Sequence, residues 1–135
     1  MSKSAIYTVN ESSQNITPNG TIGLGSVIRR FGPNLCLSGN AIQVNGSGYY
    51  DIDANITVAP TTAGNVTITA LKDNVPIPGA IASETAAAAN DPINLSISAL
   101  VREMCPCCDA TSNITFELTG TASAVSNIAV VVEKL

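Results

Sequence analysis

Gly48-Tyr49-Tyr50-Asp51-Ile52-Asp53-Ala54-Asn55-Ile56-Thr57-Val58 is the stretch that decides the fold. Successive side chains of a strand point to opposite faces, so Tyr50, Ile52, Ala54, Ile56 and Val58 share one side. Tyr49, Asp51, Asp53, Asn55 and Thr57 share the other. One face is apolar and the other polar, which predicts a half-buried strand.

The same alternation spreads outward. Asn65 to Leu71 places Val66, Ile68 and Ala70 inward, and Lys72-Asp73-Asn74 follows with turn residues. Val75-Pro76-Ile77-Pro78-Gly79 predicts a short edge strand or a bend, because proline cannot donate to a ladder. Ile93, Leu95, Ile97 and Ala99 alternate with Asn94, Ser96 and Ser98 until Leu100 and Val101 interrupt the pattern. Ile114, Phe116 and Leu118 alternate with Thr115, Glu117 and Thr119. Ile128-Ala129-Val130-Val131-Val132 is apolar at every position, which predicts a central strand kept from water on both faces. Weaker strands are expected at 6–9, 22–31 and 35–44, and Ala86 to Ala89 as a strand end running into a loop. Short strands separated by frequent turn signals predict an all-β protein, a two-sheet antiparallel jelly-roll sandwich. A chain of 135 residues fits a single domain, 1–135, with a strand or arm over 1–20 and the core over 21–135.

Composition narrows the function. Charged residues make up 12% of the chain and apolar ones 45%, so the chain has the means to build a core and is not disordered. Six scattered basic residues against ten acidic ones offer no cationic stripe, which argues against nucleic acid as a partner. With no histidine, Ser-His-Asp and Cys-His mechanisms are excluded, and no catalytic residue or cofactor is expected. No apolar run approaches the ~20 residues of a membrane helix, and the opening Met1-Ser2-Lys3-Ser4 lacks the apolar core of a secretory signal. The expectation is a soluble product with no membrane insertion.

Candidate sites are few. Cys105, Cys107 and Cys108 cluster within four residues and Cys36 is the other sulfur. Cys105 and Cys108 have the gap of zinc and redox motifs, but a second pair is missing, so a loop staple or unreacted thiols are favoured over metal. Asp51 and Asp53 share a strand face without the oxygen-rich loop that calcium needs. They are expected to be solvated, or to pair with Arg29, Arg30 or Arg102 within or between subunits. Gly23-Leu24-Gly25 lacks the further glycine and lysine of a phosphate loop and predicts a bulge or a close backbone approach. Sequons at Asn10, Asn15, Asn19, Asn45, Asn55, Asn65, Asn94 and Asn113 are explained by polar strand faces.

The order of segments carries a resemblance. Gly48-Tyr49-Tyr50-Asp51-Ile52, Ala54 to Val58, the Leu71 to Asn74 turn, Ile77-Pro78-Gly79-Ala80, Asn94-Leu95-Ser96 and the closing apolar strand follow one another. Over roughly residues 20 to 135 the chain resembles the tumour-necrosis-factor and complement-globular-head superfamily, especially its bacterial and phage members. The resemblance implies a ten-strand jelly roll assembling as a homotrimer, a family defined by shape and not by a catalytic centre. A chain so poor in charge is also expected to bury apolar surface between subunits. Ile128, Val130, Val131, Val132 and Tyr49 are the expected interface residues, with Ala129 and Val131 as the alternative pair on the last strand. The given sequence shows no collagen-like repeat or heptad segment ahead of the head, and the expectation is a chain that is nearly all head. The expected role is a structural or adhesive module on a phage or prophage virion surface, made in the bacterial cytoplasm: a capsid decoration, head-fibre or receptor-binding component. Its expected partners are a larger lattice such as a capsid and a host surface glycan or receptor. The alternative is a spore-coat or cell-surface trimer resembling exosporium glycoprotein heads.

Overall fold

The computed structural model describes residues 3–103 and 111–135, which form strands and turns without a helix. The strands are β1 (Ala5–Asn10), β2 (Gln14–Ile16), β3 (Gly20–Thr21), β4 (Ser26–Phe31), β5 (Leu35–Ser38) and β6 (Ala41–Asn45). They continue with β7 (Gly48–Pro60), β8 (Gly64–Lys72), β9 (Val75–Ala86), β10 (Ile93–Glu103), β11 (Thr111–Gly120) and β12 (Ser123–Lys134). One sheet, A, runs β10-β7-β12-β1-β4, with β2 also on β12. The other, B, runs β5-β6-β11-β8-β9, with β3 also on β11. Every pairing is antiparallel. Two antiparallel sheets face to face are the expected jelly-roll sandwich.

The core is the pair of facing apolar sides. Tyr50, Ile52, Ala54, Ile56 and Val58 of β7 meet Ile68, Ile114, Phe116 and Leu118 of sheet B, all buried. Tyr50 brings a hydroxyl into this interior, and it donates toward the Gly46 carbonyl at 2.9 Å, with the Asn45 carbonyl at 3.1 Å. Burial raises the phenol's pKa above its ordinary value, the nearby charge of Glu103 raises it further, and a hydrogen bond with Asn34 opposes both.

Local chemistry sets the turns and the irregularities. Asp73 and Asn74 both have positive φ, 50° and 66°, and join β8 to β9 as a two-residue hairpin whose twist matches the strands. At Gly25, φ is +79° and a Cβ would sit 2.3 Å from the Val9 carbonyl oxygen, so the expected close backbone approach occurs there. A bulge between Val125 and Asn127 shifts register in β12, which lets Val125 and Ile128 both face inward.

Several expectations need revision. The core does not begin at residue 21: β1 lies between β12 and β4, and Ile6 is buried, because the last strand needs a neighbour on its far side. The segment around Pro76 and Pro78 is the start of β9, a twelve-residue edge strand ending at Ala86. Leu100 does not interrupt β10, which runs on to Glu103 with Leu100 turned outward and Val101 inward. β12 is central, but its outer face is not buried in the single chain: Val131 is 37% exposed.

Candidate functional site

Ile128, Val130 and Val132 are corrected as interface residues, because the chain's own core buries them completely. The bulge at Ser126 puts them on the inner face of β12, which leaves Ala129 and Val131 on the outer one. Tyr49, at 48% exposure, is outward as well, with the Arg102 guanidinium 5.8 Å from its ring centroid. The outer face of sheet A therefore carries both Tyr49 and Val131.

Strand register lays this face out in rows. Ser98, Asp53, Val131, Tyr7 and Arg29 follow one another across β10, β7, β12, β1 and β4. The next row is Leu100, Asp51, Glu133, Ala5 and Phe31, and on the other side lie Ser96, Asn55, Ala129, Val9 and Ser26. The β10/β7 half is a polar ladder: Thr57 donates to Asn94 at 2.7 Å, Ser96 to Asn55 at 2.9 Å and Ser98 to Asp53 at 2.7 Å. The β12/β1/β4 half is apolar, through Ala5, Tyr7, Val9, Ala129, Val131 and Phe31.

Three carboxylates sit between the halves. Asp51 stands opposite Glu133 and two residues from Asp53. Burial raises the Asp51 pKa above the usual carboxyl range, and the charges of Asp53 and Glu133 add to the rise. No cation lies within ion-pair distance of the three among the described residues, where the salt bridge found is Lys72 to Glu103 at 3.6 Å. Glu103 is buried at the end of β10, and its other oxygen, Oε2, has no hydrogen-bond partner among the described residues.

Beside this face, between the facing edges of β9 and β10, runs a groove of about 450 Å³. Val75, Pro76, Ile77, Pro78 and Leu100 line it, with Lys72 and Arg102 at one end. Both cations are already engaged, Lys72 with Glu103 and the Arg102 carbonyl, and Arg102 with Tyr49.

Cys105, Cys107 and Cys108 lie outside the described residues. Cys36 is half-buried on β5, where its thiol meets the Gln43 amide oxygen at 3.4 Å. Tyr7, Val9 and Phe31 were not among the sequence candidates. Their signal is not local, since it depends on β1 and β4 extending the sheet beyond β12.

Comparison with solved structures agrees with this architecture. Murine APRIL superposes with a TM-score of 0.73 at 10% identity, over 98% of this chain and 99% of that one. The globular domain of zebrafish complement 1qA protein gives 0.69 at 8% identity, over 97% and 95%. The PRD1 vertex protein P5 gives 0.63 at 17% identity, over 98% and 96%. No family model and no curated protein sequence matches the chain. The fold is thus the jelly roll of the tumour-necrosis-factor and complement globular heads, shared with a phage vertex protein.

Proposed function

We propose that the protein is a non-enzymatic structural or binding module that works as a homotrimer, with the outer face of sheet A closing against further copies. The observation that carries this reading is the apolar half of that face, where Tyr7, Val9, Ala129 and Val131 adjoin the exposed Phe31. Contiguous apolar surface rimmed by polar groups marks an interaction site. Sedimentation equilibrium should give three times the 13.8 kDa chain mass at micromolar concentration, and a single-chain mass throughout would refute the trimer.

The trimer is further proposed to sit on a phage or prophage virion, as a decoration, head-fibre or receptor-binding component. The likeness to the PRD1 vertex protein P5 supports this place, and a host surface glycan or receptor is the proposed further partner. Gold-labelled antibody against the protein should decorate virions in electron micrographs. Label confined to spores or cell envelopes would replace that location with the alternative surface role.

A further inference from the structure

Taking the trimer as given, we propose that its copies join head to tail across sheet A, with Arg29 and Phe31 on the β4 edge of one copy seated on Asp51, Asp53, Glu133 and Val131 of the next.

Charge is separated across this face in a way one copy cannot resolve. Asp51 and Glu133 are directly opposed, an arrangement that weakens a strand pair when both are ionised. Arg29 lies in the same row as Asp53, but Tyr7 and Val131 stand between them. Three strand spacings amount to roughly 14 Å between the two backbones, beyond ion-pair contact within the copy. The Arg29 guanidinium instead donates to the carbonyl of its neighbour Ile28 at 3.3 Å, a contact that leaves most of its donors to solvent. Arg30, turned to the opposite side, already donates to the Leu35 carbonyl.

The β4 strand has the shape and chemistry of the second half of such a contact. All six of its residues are exposed, Ile28 at 48% and Phe31 at 60%. It pairs with β1 on one side and forms the border of the sheet. A cation next to a large apolar side chain complements a carboxylate cluster next to Val131. Because the two patches differ, the contact is heterologous, and heterologous contacts close into a ring when the rotation allows. The like charges on β7 and β12 then face a guanidinium from outside their own chain.

Charge reversal tests the pairing. Arg29→Glu and Asp53→Arg should each raise the trimer dissociation constant about tenfold or more, since like charges juxtaposed at an interface cost several kcal/mol. The double variant should return it to near the wild-type value. Circular dichroism should report folded protein in each case, and Arg29→Gln offers a milder variant should a reversal fail to fold. Glu117→Arg, on the outer face of sheet B, should leave the mass unchanged. A trimer indifferent to Arg29→Glu, or one broken by Glu117→Arg alone, overturns the pairing and leaves the trimer standing. A monomeric wild type removes the trimer itself.

Discussion

The two outer faces of the sandwich come from the same alternating pattern and end as different surfaces. On sheet B the outward residues are Gln43 and Asn45 of β6, Thr67 and Thr69 of β8, and Thr115, Glu117 and Thr119 of β11. Hydroxyls and amides dominate around the exposed Ile81 of β9, and part of them form a ladder: Thr67 and Ser83 hydroxyls are 3.0 Å apart, and Ser83 donates on to Asn65 at 3.0 Å. Sheet A carries a matching ladder on its β10/β7 half, meets Asp51, Asp53 and Glu133 where β7 adjoins β12, then turns apolar over β12 and β1 up to Arg29 and Phe31 of β4. A self-satisfied polar ladder asks only for water, whereas an apolar strip beside opposed carboxylates is better served by another protein surface. This difference is what the proposed closure of copies through sheet A rests on, with sheet B left to solvent.

The largest effect separates two adjacent residues of β12. Val130→Asp places a carboxylate among fully buried side chains, at a cost of several kcal/mol that approaches the whole stability of a small domain. Urea unfolding should find it largely unfolded or far less stable. Val131→Asp, one residue on, should stay folded and drive the sedimenting species to the single-chain mass. If that variant remains trimeric, sheet A loses its distinction from sheet B. The matching change on the other face, Thr115→Asp, should leave mass unaltered and move the unfolding free energy by no more than about 0.5 kcal/mol.

How much of this contrast was legible beforehand depended on whether its cause was local. The β7 stretch was readable because its eleven residues alternate without a break, and that alone fixes Tyr50 inside and Tyr49 outside. β12 was not, because the bulge at Ser126 resets the phase and its apolar residues are consecutive, so sequence pattern could not tell which of Val130 and Val131 turns inward. Interface candidates on that strand therefore mixed core and surface positions. The rows that join Arg29 to Tyr7, Val131 and Asp53 arise from strands far apart in sequence, brought together by strand order. Buried Glu103 is hidden for the same reason, since its partner Lys72 belongs to the other sheet.

A smaller effect lies in pH. The folded-state pKa of Asp51 is raised, so the folded protein holds its proton more tightly than the unfolded chain. The sign follows: the contribution is fully present below the ordinary carboxyl pKa and is lost as pH rises through the elevated value. Asp51→Asn should therefore be at least as stable as wild type at neutral pH and show a flatter stability profile through the acid range. Urea titrations at several pH values measure this directly. A wild-type profile that rises across that window, with Asp51→Asn less stable at pH 7, would mean that the carboxylate is held by a cation, as the head-to-tail contact requires. The measurement thus belongs below and above the trimer dissociation constant, with the flattening expected in the separated chains.

The smallest effect concerns the quiet face. Ser83→Ala removes the hydroxyl that links Thr67 to Asn65 on exposed strands, and cross-strand pairs of this kind contribute roughly 0.2–1 kcal/mol. Water can replace the lost partner at both neighbours, so the cost should fall at the lower end of that range, with no change in sedimentation. The equivalent deletion on sheet A, Ser98→Ala, takes a hydrogen bond from Asp53 and leaves that carboxylate beside Asp51 with one donor fewer. Its effect should exceed that of Ser83→Ala, because a hydroxyl bound to a carboxylate makes the stronger hydrogen bond. Equal losses for the two variants in urea unfolding would show that the ladders are interchangeable and that the acids on sheet A impose no demand of their own.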